Sequence, residues 1–269
     1  MAKKGEKQQK ASVHPGAYLH SFMTMREHLL INVAKAIDER SWTQRQAAQF
    51  LGVSQPRISD LMRGKSGKFT IDTLIQWLLA LGKEVKVVTN VQDRSNAAAN
   101  NDAIEFYTRA IAMDPKNVGA YMNRGDTFSE GKQFDLAIGD YTRAIELDPT
   151  RPGPRNQRAL AYQKSGQIKA ALQEATEMIE KWPDYSGGYA QRAAACALLE
   201  DYDQALIDYT TDIALEPDRP GAYWNRATVY EHLGEYDKAI ADCDKVIELH
   251  PNPEFARQAK SALMQKRSQ

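Results

Sequence analysis

The chain has 269 residues, 26% of them charged and 42% hydrophobic, and a formal net charge of zero, a composition that bounds it to one large soluble domain or two smaller ones. No apolar run approaches a membrane span, and the basic N-terminus lacks the apolar stretch of a signal peptide. The neutrality hides an asymmetry, because residues 1–91 hold fourteen Lys/Arg against seven Asp/Glu and so carry +7, leaving −7 for residues 92–269. A basic module joined to an acidic one is expected. Cys196 and Cys243 are the only cysteines, too few for a disulfide framework. They read as buried free thiols in a reducing, cytoplasmic setting.

Residues 1–21 carry Lys3, Lys4, Lys7 and Lys10 and no helical or strand period. They read as a disordered basic tail, or as an arm touching DNA phosphates. From Phe22 the pattern turns helical. Leu29, Val33 and Ile37 recur every fourth residue and give a first helix one apolar face. Thr43 can cap a second helix from Gln44 to Leu51, and Gly52 supplies the left-handed residue that stops it. Ser54 is placed to cap a third helix, with Pro56 tolerated in its first turn, ending near Arg63 and Gly64. A fourth helix carries Leu74, Trp77, Leu78 and Leu81 and stops at Gly82. Val85 and Val87 then alternate with Glu84 and Lys86, which reads as a short strand ending near Val88.

The run from Gln44 through Leu61 resembles the DNA-binding helix-turn-helix of the Cro and phage-repressor regulators, with Ala48, Gly52, Val53, Ile58 and Leu61 at that family's core and turn positions. The continuation to Val88 is similar to its antitoxin-type members. The resemblance spans residues 22–91 and implies that the third helix enters the major groove. On that basis the DNA-reading positions are Ser54, Gln55, Pro56, Arg57, Ser59 and Asp60. Gln55 suits adenine and Arg57 suits guanine. Gln44 would meet a phosphate at the start of the second helix, and Arg63, Lys65 and Lys68 would add phosphate contacts. The competing role for Arg57 is an ion pair with Asp60 one turn on. A strand edge at Glu84 to Val88 that a second copy completes would give a homodimer reading two half-sites.

Residues 92–101 read as a polar linker running into a helix. Beyond it a period of 34 governs the chain. Prolines stand at Pro115, Pro149, Pro183, Pro217 and Pro251, alanines at Ala103, Ala137, Ala171, Ala205 and Ala239, and tyrosines at Tyr107, Tyr141 and Tyr209. Such a period marks a helix–turn–helix solenoid. Tyr121, Gly125, Phe128, Ala137, Tyr141, Ala144 and Pro149 make the unit similar to a tetratricopeptide repeat (TPR). Its usual first-helix leucine is arginine at Arg124, Arg158, Arg192 and Arg226. A half repeat from Asp102 and four full repeats end at Pro253, and residues 254–269 form a capping helix with Phe255, Ala259 and Ala262 inward and Lys260, Lys266 and Arg267 outward. The fold class is therefore all-α, a helix-turn-helix bundle with a short strand followed by a TPR α-solenoid.

In the TPR family the first helices line a groove. Carried over by position, the partner-binding residues are Met122, Asn123, Asp126, Asn156, Gln157, Gln191, Trp224, Asn225 and Thr228. The amides suit an extended peptide backbone, and Trp224 could take an apolar side chain. No histidine pairs with a cysteine at ligand spacing, and no phosphate-cradling loop or nucleophile elbow occurs, so neither a metal, a cofactor nor an enzyme is expected. The expectation is a DNA-binding transcriptional regulator whose repeats hold a protein or peptide. The alternatives are an antitoxin-like autorepressor that holds a toxin, and a scaffold that binds no DNA.

Overall fold

The computed structural model describes residues 25–83, 85 and 96–268. The basic tail and residues 92–95 of the 92–101 segment lie outside them. Among the described residues the chain is all α. Helices α1 (Met25–Asp38), α2 (Gln44–Phe50), α3 (Gln55–Met62) and α4 (Ile71–Ala80), with a 3-10 turn at Ser66–Lys68, form the N-terminal bundle. The α2 start is a capping box: Thr43 Oγ1 accepts from Gln46 N, and Gln46 Oε1 accepts from Thr43 N, which satisfies two donors left free by the helix start. Ser54 stands at the N-cap of α3, yet its side chain makes no capping bond. The α2–α3 turn is made by Gly52 at φ +66°, a conformation that costs a residue with a Cβ. Ala47 and Ala48 of α2 are buried and let α3 approach.

Of the strand expected over Glu84 to Val88, only Val85 lies among the described residues. No strand occurs among the described residues; Glu84 and residues 86–88 lie outside them, and Val85 is irregular. Val85 instead packs half-buried against the bundle core. A strand needs a ladder partner, and none of the described chain supplies one.

The repeat array is α5 (Asn96–Met113), then the pairs α6 (Val118–Glu130) and α7 (Phe134–Leu147), α8 (Pro152–Lys164) and α9 (Ile168–Lys181), α10 (Ser186–Leu198) and α11 (Tyr202–Leu215), α12 (Pro220–His232) and α13 (Tyr236–Leu249), closed by α14 (Glu254–Arg267). Helix α5 begins six residues before Asp102, inside the segment expected as linker. Pro149 turns the chain as proline should, with Asp148 at φ −143° and ψ 87°, outside the helical region. At Gly125 a Cβ would come within 2.7 Å of the Tyr141 ring, so glycine lets α6 and α7 meet around that tyrosine. In α14 the buried face is Ala256 and Leu263, while Ala262 is exposed. Lys260, Lys266 and Arg267 of α14 pair with Asp244, Glu231 and Asp237.

The arginine that replaces the first-helix leucine has a partner in every repeat. Arg124 meets Asp140, Arg158 meets Glu174, Arg192 meets Asp208 and Arg226 meets Asp242, each across the two helices of its own unit at 2.5–3.1 Å. Three of them also donate to a threonine of the preceding second helix, at Thr108, Thr142 and Thr210. At those three the guanidinium ties two neighbouring units together.

The array breaks its pattern at Asp212. The equivalent positions are Ala144, Met178 and Val246. Asp212 is fully buried, paired with Arg219, and its Oδ2 has no partner. Burial pushes its carboxyl up to about 6, with Arg219 pulling the other way. Below pH 6 the folded chain therefore holds a proton that the unfolded chain releases near 4. Stability contributed by that proton is present at low pH and lost as pH rises through about 6. Asp212 should therefore make the unfolding free energy in urea higher at pH ~5.5 than at pH ~7.5 by roughly 0.8 kcal/mol. Asp212→Asn should remove that contribution and leave the similar one of Asp126, whose carboxyl burial also pushes up to about 6. Asp60, Glu39 and Asp148, whose pairing holds them below the ordinary range, lose their contribution only in more acid solution.

Candidate nucleic-acid interface and repeat groove

Helix α3 has two unlike faces. Ile58, Leu61 and Met62 are buried, whereas Ser54, Gln55, Pro56 and Arg57 are exposed. The residues expected at base edges thus share the open N-terminal end of one helix. Gln44 is half-buried where α2 starts, and Ser59 and Asp60 are half-buried further along α3. Arg57 does not pair with Asp60. Its guanidinium lies 5.8 Å from the Phe69 ring and 5.7 Å from the Trp77 ring, a cation–π arrangement that steadies the side chain while leaving it exposed. Asp60 belongs to the lysines instead, with Lys68 Nζ at 2.6 Å and Lys65 Nζ at 3.5 Å. The Lys68 ammonium, and behind it Lys65, hold the Asp60 carboxyl below the usual aspartate range.

Arg63 stands apart from this face. It is half-buried, its Nε is buried without a partner, and its carbonyl accepts from Asn117 Nδ2 at 2.6 Å. The same Asn117 caps α6 through its Oδ1, so the end of α3 and the start of the first full repeat share one side chain. Around this seam the bundle and the array have a common core. Ala103, Phe106, Tyr107, Ala110 and Ala120 join the cluster of Leu30, Val33, Ile37 and Leu61. The Phe106 and Tyr107 rings come within 3.4 Å of where a Gly64 Cβ would be. Two ion pairs lock α1 to α5, Lys35 with Asp102 and Asp38 with Arg109.

The expected groove residues fall into two groups. Asn156, Gln191 and Gln163 are tied to one another: Gln191 Nε2 donates to Asn156 Oδ1, and Gln163 Nε2 donates to the Gln191 carbonyl and side-chain oxygens. Trp224 leans on Phe255 of α14 with ring centroids 4.8 Å apart, so the capping helix takes the place foreseen for a partner's side chain. Met122 packs partly against the core beneath. Asn123, Asp126, Gln157 and Asn225 are half-buried and Thr228 is exposed. Asp126 accepts from Tyr141 Oη at 2.7 Å.

Sequence reasoning missed the carboxylates at Asp140, Glu174, Asp208 and Asp242, although they keep the step of 34. Among the described residues no group of His, Cys, Asp and Glu could hold a metal ion, and no helix is long and apolar enough to cross a membrane.

The fold and these faces define a helix-turn-helix domain fused to tetratricopeptide repeats. The helix-turn-helix domain family matches residues 19–90, and tetratricopeptide repeat families match residues 93–152 and 222–253. Among solved structures, the chain is similar to a thermophilic TPR protein of Thermus thermophilus, at 21% identity and a TM-score of 0.55, over 62% of this chain and 92% of that one. That likeness establishes the solenoid fold. Weaker likenesses are to YrrB, a TPR protein with an unusual peptide-binding site (21% identity, TM-score 0.46, 62% and 86% covered), and to MamA (20%, 0.48, 65% and 99%). Comparison with curated proteins gives no match. The helix-turn-helix domain points to DNA and the repeats to protein–protein interaction.

Proposed function

We propose that the protein is a cytoplasmic, sequence-specific transcriptional regulator of the Cro and phage-repressor type, with no catalytic role, whose repeats bind a protein or peptide. The observation that carries this reading is the open N-terminal face of α3, where Ser54, Gln55 and Arg57 stand exposed together on a helix packed rigidly from behind. Gln55 and Arg57 read base edges, Ser54 and Gln44 meet the backbone, and Lys65 and Lys68 neutralise phosphates. One head covers few base pairs, so the regulator acts as a homodimer on two half-sites about one helical turn apart. The half-buried amides and Thr228 of the first helices form the partner-binding face. Selecting bound sequences from random DNA with the full chain tests the reading, and recovery of no common sequence would reject it.

On the selected site, Arg57→Ala should cost about 1–3 kcal/mol and relax one base position. Asp60→Ala should act oppositely, releasing Lys65 and Lys68 to tighten binding to all sequences alike and to steepen the salt dependence. Titrating both variants on the selected and on scrambled duplexes separates the effects. An equal loss for Arg57→Ala on both duplexes would assign it to the backbone rather than to a base.

A further inference from the structure

The helix-to-helix turns of the first and second full repeats frame an open cavity of about 700 Å³. Residues 132–136 of one turn line it, with Lys164, Ser165 and Gln167 of the other. None of the residues expected in the groove borders it. Its two lysines are free. Lys132 and Lys164 are exposed, and neither forms an ion pair or a side-chain hydrogen bond among the described residues. Lys164 only favours the ionised form of Asp126 through space. The cavity also presents apolar surface, since Phe134 is half-buried and Leu136 is 53% exposed.

The other repeats show that this combination is not a product of the period. The corresponding cavity of the last full repeat, about 370 Å³, has Gly234 in place of Lys132. Its cations are taken, because Lys238 pairs with Glu235 and Arg267 with Asp237. The positions equivalent to Leu136 are Ala170, Gln204 and Lys238. Lys132 itself is held at φ +58°, where Gly166 and Gly234 stand in two of the other units and Glu200 in the third. That left-handed conformation disfavours a residue with a Cβ. The one carboxylate in the lining, Asp135, sits in the first turn of α7, where the helix N–H groups face it.

We propose that this cavity is a second partner surface, separate from the groove, and takes an acidic segment of a partner protein in which Asp or Glu stands beside a large apolar residue. The apolar side chain covers Leu136 and Phe134, and the carboxylate meets Lys132 and Lys164 in an array that otherwise carries −7 over residues 92–269. A nucleic-acid backbone would satisfy the lysines but leave the apolar surface uncovered. The cavity is too open to enclose a small molecule as ligand sites do, whereas a peptide can lie across it and continue beyond.

The test selects randomly displayed peptides on the full chain and then depletes them on the Lys132→Gly/Lys164→Gln chain, so that peptides needing the lysines are those retained. Their affinities are measured by fluorescence anisotropy. The retained set should carry Asp or Glu next to Leu, Ile, Phe or Trp. Changing that acid to its amide should weaken binding about three- to tenfold, with the gap narrowing as salt is raised, and Leu136→Ala should weaken it by a similar factor. Lys132→Gly repeats what the second and fourth full repeats carry at this turn, and a melting temperature no lower than that of the unaltered chain verifies the fold. If depletion retains no peptides, or the retained ones lack the acidic–apolar pair, the surface is wrong. Equal weakening by Lys169→Gln, an exposed lysine outside the cavity, would show diffuse attraction and overturn it. Weaker binding of a scrambled DNA duplex by the Lys132→Gly/Lys164→Gln chain, with peptide binding unchanged, would assign the lysines to phosphates and overturn it too. Peptides weakened by Asn225→Ala and by neither cavity variant belong to the groove; a selection of these alone leaves the groove reading intact and overturns this surface.

Discussion

Asp208→Ala should destabilise the array by about 3–5 kcal/mol, the scale of leaving one member of a buried ion pair without its partner. Asp208 is 1% exposed and receives both Nε and a terminal nitrogen of Arg192 at 2.7 Å, with Gln204 donating to the same carboxylate. Removing it strands a guanidinium between α10 and α11. Adding Arg192→Leu, which restores the residue usual in tetratricopeptide repeats, should recover most of the loss, because apolar replacements of buried ion pairs are often neutral or better. Urea unfolding of the single and double variants gives both numbers. A single-variant loss below about 1 kcal/mol would mean that Arg192, whose side chain is 24% exposed, turns out to water and that the pairing contributes only as a surface bridge does.

Phe106→Ala should lower the stability of the N-terminal bundle, although Phe106 lies outside it. The ring is buried among bundle residues and in edge contact with Tyr107, and losing a buried phenyl ring costs about 3–5 kcal/mol. Trp42 and Trp77 lie in the bundle and Trp182 and Trp224 in the array. With Trp182→Phe and Trp224→Phe in the background, fluorescence reports the bundle alone. Its urea midpoint should fall with Phe106→Ala. An unchanged midpoint would mean that the DNA head and the repeats are separate cooperative units. The same contact predicts that a fragment ending at residue 91 does not keep the native bundle, since it lacks the α5 face that completes the core. A change in the first repeat therefore has a direct mechanical route to α3, through Tyr107 at Gly64 and Asn117 at the Arg63 carbonyl.

The two modules were legible in the sequence because each rests on local rules. The 34-residue step from Pro115 to Pro251 sets helix pairs that stack, and Thr43, Gly52, Gly64 and Gly82 mark helix ends by backbone chemistry that neighbours hardly alter. The open face of α3 followed from the alternation of Ile58, Leu61 and Met62 with Gln55 and Arg57. A strand at Glu84 to Val88 was read from alternation alone, which carries little weight because pairing needs a second strand that no local pattern provides.

What only the tertiary structure decided is where long side chains end. Arg57 could reach Asp60 along its own helix, but folding places the Phe69 and Trp77 rings beneath it and gives Asp60 to Lys65 and Lys68. Trp224 looked free to a reader of the repeat and is covered by Phe255 of the next helix. The arginines at 124, 158, 192 and 226 looked like departures until Asp140, Glu174, Asp208 and Asp242 faced them across the unit. Nor could any local pattern seat Phe106 and Tyr107 in the bundle core. Periodicity fixes which face of a helix is apolar, whereas the partner of each buried polar group depends on which helices meet, and that is settled only by packing the whole chain.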